Sequence, residues 1–462
     1  MINEKTMDGK GAFSPMSVPY MPACPRRRLT SFQTISLGFS GMILIGTLLL
    51  SLPIATRSRQ AAPVADALFT ATSAVCVTGL VVHDTATYWS AFGQAVILML
   101  IQIGGMGVIT AAAAFAMISG RKISLMQRST MQEAIAAPKV GGIVRLTGFI
   151  VRTTLVIELA GTVIMAPVFC RDFGVQGLWM ALFHAVSAFC NAGFDLMGVR
   201  GEYGSLTSYS AQPVINAVVM LLILVGGVGF LTWDDVRANR LHWRRYRMQT
   251  KAILTATVLL ITLPAAYFFC CEFTALPPAE RLLASLFQAV TPRTAGFNTV
   301  DFSGMSETGL SVIIALMLTG GSPGSTAGGM KTTTVAVLLA TAVATFRRKE
   351  SPQMFGRRIE DSAVRHAATI LLMYLTLFFL GGLIISAVEG LPVLACLFET
   401  ASAVGTVGLT LVITPGLGGA SRVILILLMF FGRVGGLTLI FAASSGAQPH
   451  VSRCPRERIT VG

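Results

Sequence analysis

Charged residues are scarce in this sequence, and acidic residues are scarcer than basic ones. Of the 462 residues, 12% are charged, with 21 Asp and Glu against 35 Lys and Arg, whereas 53% are hydrophobic. A basic surface that binds nucleic acid needs a soluble domain to carry it, and no stretch of this chain has the composition of one. The formal net charge of +14 therefore does not indicate nucleic-acid binding, and we expect no nucleic-acid partner.

Histidine and cysteine are too few and too scattered to predict a catalytic or metal site. The eight cysteines include no Cys-x-x-Cys pair, and the five histidines form no triad or cluster along the chain. A membrane enzyme would need convergent His, Cys or acidic side chains. We therefore predict that the protein is not an enzyme and that the chain holds no organic cofactor. The cysteines are expected to be small apolar residues or free thiols.

Long apolar runs are abundant instead. They have the length of about 20 residues that crosses the hydrocarbon core of a bilayer as a helix. They predict an all-α integral membrane protein with eight spanning segments, the sixth of them interrupted. The segments are residues 32–55, 91–118, 145–169, 212–232, 252–270, 309–345, 367–388 and 420–443.

Basic residues are distributed unevenly among the connections between these runs. Most Lys and Arg lie in the N-terminal tail, in the segments after every second run and at the C-terminus, with dense stretches at 237–247 and 347–358. By the positive-inside rule, both termini face the cytoplasm. Seven arginines lie in the alternate connections: Arg57, Arg59, Arg171, Arg200, Arg281, Arg293 and Arg422.

A short motif recurs in each connection that carries little charge. The copies are LFTATSAVCVTGL at 68–80, LFHAVSAFCNAGF at 182–194, LFQAVTPRTAGF at 286–297 and LFETASAVGTVGL at 397–409. Each is too short to cross a bilayer, so each is expected to re-enter as a short helix followed by an extended strand. The repeat predicts four parallel units of helix, pore loop and helix around one pseudo-four-fold pore. The divisions are a tail at 1–31, units at 32–118, 145–232, 252–345 and 367–443, and a tail at 444–462.

Each copy of the motif contains one glycine near its end. Glycine lets four backbones approach one axis, where their carbonyl oxygens can replace the water shell of a cation. The alternative is that these glycines only pack helices, but four matched copies favour a filter. The third copy is one residue shorter, so the predicted filter is not strictly four-fold symmetric. Its residues are Val77, Thr78, Gly79, Asn191, Ala192, Gly193, Thr294, Ala295, Gly296, Thr406, Val407 and Gly408.

The interrupted run in the third unit predicts a gate. Its stretch of Gly, Ser and Pro cannot continue as an ordinary helix, and irregular backbone at membrane depth must border the pore or be buried. We interpret it as a flexible intramembrane loop beneath the filter; the alternative is a passive kink. The gate residues are Gly320, Gly321, Ser322, Gly324, Ser325, Thr326, Gly328, Gly329 and Lys331.

Arg433 is a charged residue deep in the last run. A charge at this depth costs at least ~2.5 kcal/mol, so it should face water or an acidic partner, and Glu399 and Glu158 are the available carboxylates. Either a static ion pair or an electrostatic barrier beneath the filter would explain it. Because Gly321 and Arg433 lie at similar distances after their filter glycines, we expect the gate loop and Arg433 to meet in the pore.

These motifs together resemble the pore-forming subunits of the KtrB/TrkH/HKT superfamily of potassium transporters. The resemblance covers the chain from about residue 32 to its end. It is most specific in TPRTAGFNTVD at 291–301, in GGSPGSTAGGMKTTT at 320–334 and in the final PRERITVG. Eight spans without an additional N-terminal helix pair make the chain more similar to KtrB than to TrkH.

The resemblance implies potassium uptake across the bacterial cytoplasmic membrane, with potassium bound at the filter residues and with sodium dependence, as in many members. It also implies a homodimer embedded in membrane lipid and gated by a cytoplasmic ring of nucleotide-binding RCK subunits of the KtrA/TrkA type. The alternative function is a sodium or potassium secondary transporter, or a symporter, with alternating access. Such transporters usually contain inverted repeats, whereas these four repeats are parallel, which favours a pore.

Overall fold

The computed structural model describes residues 30–118, 124–135, 142–240, 242–436 and 438. Apart from residues 30 and 31, the predicted tails at 1–31 and 444–462 lie outside these residues. The end of the fourth predicted unit lies largely outside them too.

Helices dominate the described residues, and they follow one another in four similar sets. The first set is α1 (Ser31–Leu50), α2 (Val64–Val75), α3 (Thr85–Tyr88), α4 (Ala91–Met106) and α5 (Val108–Ile118), followed by a connecting helix, α6 (Leu125–Ile135). The second is α7 (Ile143–Phe173), α8 (Gln176–Phe189), α9 (Pro213–Val228) and α10 (Phe230–Asn239). The third is α11 (Met248–Tyr267), α12 (Pro278–Val290), α13 (Glu307–Leu318) and α14 (Thr332–Phe346). A hairpin of β1 (Gln353–Met354) and β2 (Arg357–Arg358) precedes the fourth set, α15 (Asp361–Glu389), α16 (Val393–Gly405) and α17 (Gly419–Val434).

The opening helix of each set is long and apolar enough to cross a membrane. These four helices are α1, α7, α11 with the π turn that extends it to Glu272, and α15. Counting each bent pair as one span raises the number to six within the described residues. The predicted segment at 309–345 is interrupted between α13 and α14, and only part of the segment at 420–443 is described. The count of eight spans therefore stays a prediction.

Two predicted spans are not continuous, which corrects the sequence interpretation of 91–118 and 212–232. Helices α4 and α5 meet at 97°, and α9 and α10 meet at 92°. Gly107 and Gly229 stand at the two corners with φ of 86° and 100°, a backbone conformation that cannot continue a right-handed helix. Gly435 has the same conformation at the end of α17, with φ of 90°. A Gly-Gly-x-Gly sequence ends at each of the two bends, at 104–107 and 226–229, and was the signal for them.

The short helices α2, α8, α12 and α16 lie at the centre of the core. Each carries the phenylalanine that opens its motif, and all four of these rings are fully buried: Phe69, Phe183, Phe287 and Phe398. Inside a membrane protein such rings contribute through close packing, because lipid is as apolar as the core. The repeated Leu-Phe pair therefore marks a buried packing contact in each short helix.

Candidate functional site

The backbone turns sharply after each short helix. Val77, Asn191, Thr294 and Thr406 have φ of 57°, 59°, 64° and 51°, which is the left-handed region. A non-glycine residue in this region costs about 1–3 kcal/mol, and such residues cluster at functional sites. The sequence predicted an extended strand directly after each short helix. This prediction is wrong for the first residue after the helix, because that residue is in the left-handed conformation and reverses the chain direction.

The four motif glycines form a closed ring in the order 79, 193, 296 and 408. A Cβ atom on Gly79 would overlap the carbonyl oxygen of Ala192, and one on Gly193 would lie 2.8 Å from the Cα of Gly296. Gly296 meets the fourth unit in the same way, and a Cβ atom on Gly408 would overlap the carbonyl oxygen of Thr78. Each glycine thus leaves its side-chain space to the backbone of the next unit.

In all four units, a backbone hydrogen bond connects the segment before the ring glycine to the C-terminal end of the short helix. The residue before the ring glycine, or its equivalent in the shorter third copy, donates its N–H to a Ser or Thr carbonyl of its own motif. Thr78, Ala192 and Val407 donate at 2.8 Å to Ser73, Ser187 and Ser402, and Ala295 donates at 3.0 Å to Thr291. The hydroxyls of Ser73 and Ser402 also accept from Gly79 and Gly408, each at 3.0 Å.

The carbonyl oxygens of the twelve predicted filter residues accept no hydrogen bond from any residue that the structure describes. All twelve residues are buried, and within the described part of the chain none of their carbonyl oxygens accepts a hydrogen bond. The hydroxyls of Thr78, Thr294 and Thr406 are also buried and without a partner there. More than nine in ten buried backbone carbonyls in proteins are paired, so a group of unpaired oxygens around one axis requires an explanation. A dehydrated cation is the ligand that such uncharged oxygens suit.

Two carboxylates lie beside one opening of this ring. All four ring glycines line one small cavity, whose wall also includes Asp84 and Asp195. Asp84 caps α3 and accepts a backbone hydrogen bond from Tyr203 at 3.3 Å. Burial raises the pKa of the Asp195 carboxyl to about 7, and the charge of Asp84 adds to this rise. Neither residue was predicted from the sequence, because the two follow their motif glycines at different distances.

The segment between α13 and α14, residues 319–331, lies on the other side of the ring and is named the gate loop here. Gly329 faces the carbonyl oxygen of Gly405, and a Cβ atom on Gly328 would overlap the hydroxyl of Thr406. The loop is held by backbone bonds from Ser322 to Gly227 at 3.1 Å and from Gly329 to Gly432 at 3.2 Å. The predicted gate residues therefore lie directly against the predicted filter.

Thr326 and Arg433 connect this loop to three units. The Thr326 hydroxyl donates to the side-chain oxygen of Asn191 at 2.9 Å, and its carbonyl oxygen accepts from the Arg433 guanidinium. Arg433 also donates to the carbonyl oxygens of Gly104 and Gly105 at the end of α4. Lys331 donates within the loop, to the carbonyls of Ala327 and Gly328. Arg433 and the gate loop are therefore in contact, as expected, and their meeting in a pore stays a prediction.

Neither predicted carboxylate pairs with Arg433, which corrects the expectation of an ion pair. Glu158 accepts from Gln102 at 3.2 Å and contacts the Cys190 thiol, and Glu399 accepts from the segment after Gly408. Among the described residues, every hydrogen-bond acceptor of Arg433 is a backbone carbonyl. Sequence reasoning could not find these ligands, because a carbonyl oxygen is present at every residue.

Comparison with known proteins gives a consistent result. The family model TrkH, described as a cation transport protein, matches residues 13–450. The chain is 39% identical to the potassium/sodium uptake protein NtpJ of Enterococcus hirae, over 95% of this chain and 98% of that protein. It is 40% identical to the Ktr system potassium uptake protein B of Bacillus subtilis, over 94% and 97%. The crystal structure of the potassium transporter TrkH from Vibrio parahaemolyticus superimposes with a TM-score of 0.71 at 19% identity, covering 90% of this chain and 86% of that one.

Proposed function

Because the chain belongs to the TrkH family of cation transport proteins, we propose that it carries potassium ions into the cell through the ring of four glycines. The twelve unpaired carbonyl oxygens carry this proposal. A potassium ion bound among these buried oxygens interacts favourably with their partial negative charges. Because the oxygens accept no hydrogen bond from the described residues, binding the ion breaks none. The relatives named for potassium uptake support the choice of ion.

The architecture in this proposal is a pore made by four parallel units in the bacterial cytoplasmic membrane, with eight spans and both termini in the cytoplasm. The units are those predicted at 32–118, 145–232, 252–345 and 367–443. The matched bonds behind the four filter segments and the four long opening helices support the pseudo-four-fold arrangement. Asp84 and Asp195 then lie at the outer entrance, where negative charge raises the local cation concentration.

The gate loop blocks the path below the filter in this proposal. Gly328 and Gly329 fill the space beneath Thr406, and Arg433 holds the loop to α4 through carbonyl oxygens alone. The guanidinium charge is therefore not neutralised by a carboxylate among the described residues, so it also repels a cation in the pore. Opening requires the loop to leave Arg433 and Asn191, and water can replace both contacts.

Partners are proposed from the relatives and from the cytoplasmic surface. A Ktr system relative is named uptake protein B, which supports a multi-subunit system, and we propose a homodimer in lipid with a cytoplasmic RCK ring. Arg244, Arg245, Arg357 and Arg358 are exposed on the predicted cytoplasmic side and are offered as part of its docking surface. Sodium is proposed as a second ion because one relative is named a potassium/sodium uptake protein.

The test is ion flux through purified protein in liposomes. Uptake of rubidium or potassium down an imposed gradient is measured with and without sodium, and with and without a co-expressed RCK subunit. We expect passive flux that prefers potassium and rubidium over sodium. Strict one-to-one coupling of potassium entry to sodium entry would instead indicate a symporter with alternating access, and absence of flux under all four conditions would contradict the proposal.

A further inference from the structure

The third residue of the repeated motif differs in every unit, although its neighbours are similar. It is Thr70 in the first unit, His184 in the second, Gln288 in the third and Glu399 in the fourth. All four side chains are buried. We refer to this place as the clamp position.

Two of these side chains bind the same backbone atom of their units. Glu399 accepts from the N–H of Leu411 at 3.0 Å, and His184 accepts through Nε2 from the N–H of Leu196 at 3.4 Å. Leu411 and Leu196 each lie three residues after the ring glycine. The Nδ1 atom of His184 is 2.7 Å from the Met180 carbonyl oxygen, so His184 is the tautomer with its proton on Nδ1.

Glu399 makes further bonds that His184 lacks. One carboxylate oxygen accepts from the hydroxyl of Thr410 at 2.6 Å as well as from Leu411, and the other accepts from the hydroxyl of Thr414 at 2.6 Å. The Thr410 hydroxyl accepts in turn from the N–H of Val412 at 2.8 Å. One side chain of the pore helix α16 therefore fixes the backbone over the turn from Thr410 to Thr414, directly outside Gly408.

In the first and third units, the side chain at the clamp position does not bind the backbone of the filter segment. Thr70 and both amide atoms of Gln288 are buried without a hydrogen-bond partner among the described residues. The segments after Gly79 and Gly296 are held instead by the loop of the second unit, where Tyr203 donates to Val82 and Leu206 donates to Asn298. Clamped and unclamped units thus alternate around the ring.

We propose that Glu399 is a positioning residue for the filter, which keeps the outer end of the fourth segment at the spacing that favours potassium over sodium. This inference rests on the proposed function. Glu399 faces away from the ring, so it acts through the backbone it holds. A filter distinguishes two cations of equal charge only while its carbonyl oxygens resist moving toward the smaller one. Hydrogen bonds to a charged group are among the strongest available for that purpose.

The experiment compares potassium and sodium flux in liposomes for the wild type and four variants. Glu399→Ala removes the clamp. Glu399→Gln keeps it, because a Gln oxygen can accept from Thr410 and Leu411 while its NH2 donates to the Thr414 hydroxyl. Thr414→Val removes one bond and leaves the carboxylate in place, in case Glu399→Ala does not fold. Glu389→Gln is the matched control, since Glu389 holds Gly418 and Ser421 at the outer end of α15.

For Glu399→Ala we expect the preference for potassium over sodium to fall at least about tenfold, the factor equivalent to losing one hydrogen bond to a charged group. Thr414→Val should lower it by a smaller factor. Glu399→Gln should lower it less than Glu399→Ala, because the bonds stay in place and lose only their charge. Glu389→Gln should leave it close to that of the wild type. Equal losses in Glu399→Gln and Glu399→Ala would show that the charge matters and not the position, which would overturn the proposal. So would a wild-type preference in folded Glu399→Ala or Thr414→Val. Wild-type protein that passes no potassium would overturn the proposed function instead.

Discussion

The glycine ring and the region beneath it follow different rules. In the ring, every unit has a left-handed residue two positions before its glycine and a similar backbone bond to its short helix. On the inner side three units end their second helix at a glycine of positive φ, Gly107, Gly229 or Gly435, whereas the third has the gate loop. Under the proposed function, ion selection uses four similar backbone segments, whereas gating uses the one unit that departs from the others.

Breaking the similarity of the four units in the ring should give the largest effect. In Gly408→Ala, a Cβ atom would overlap the Thr78 carbonyl oxygen at a φ of 92°. Overpacking and left-handed strain together amount to a few kcal/mol, so selective potassium flux should fall on the order of a hundredfold. The control is Gly304→Ala, where a Cβ atom would meet no other atom within 4 Å. Unchanged selectivity in a folded Gly408→Ala protein would refute the assignment of the filter.

Releasing the inner side should give the next largest effect, with the opposite sign. Arg433→Ala removes the bonds to Thr326, Gly104 and Gly105, which hold the gate loop to α4. We expect maximal potassium flux to rise about tenfold, because a hydrogen bond from a charged group contributes about 1.5–3 kcal/mol. Arg422→Ala serves as the control, since Arg422 lies on the same helix but pairs with Asp66 at the outer side. Flux that falls in Arg433→Ala would indicate that Arg433 supports the open state.

A smaller release should follow from the Thr326 side chain. Thr326→Val removes the hydroxyl bonds to Asn191 and Phe189 and keeps the carbonyl that Arg433 binds. Flux should rise about fivefold, as the loss of a neutral hydrogen bond of about 1 kcal/mol predicts. Combined with Arg433→Ala, the increase should be less than the product of the two, because both changes weaken one closed state. A fully multiplicative effect would show that the two residues control separate barriers.

The smallest expected effect is a pH dependence at the outer entrance. With its pKa raised to about 7, the Asp195 carboxyl is ionised above that pH and becomes protonated as the external pH falls through it. Potassium uptake at low external concentration should therefore decline by about twofold between pH 8 and pH 6, because one attracting charge is lost. Asp195→Asn should show the lower rate at every pH. A wild-type decline that persists in Asp195→Asn would assign the titration to another group.

The sequence was most informative where a pattern repeats. The four Leu-Phe motifs located the short helices and the glycine ring, and the resemblance to the KtrB/TrkH/HKT superfamily is confirmed by the family match. The bends at Gly107 and Gly229 were missed because each run was interpreted from its apolar composition, which is the same for a straight and a bent helix, although a Gly-Gly-x-Gly sequence ends at each bend. The carbonyl ligands of Arg433 were missed because every residue has a backbone carbonyl, so the sequence does not show which ones bind a side chain. The role of Glu399 was misassigned, since a buried carboxylate suggests a basic partner before it suggests N–H and hydroxyl donors.

The ring of glycines comes from one polypeptide, and this has a consequence for genetics. In a tetramer of identical subunits, one codon change alters all four walls of the pore at once. Here a single substitution alters one wall and leaves three unchanged, so the contribution of each wall can be measured separately. The clamp position already differs from wall to wall, with Thr70, His184, Gln288 and Glu399 in the four units.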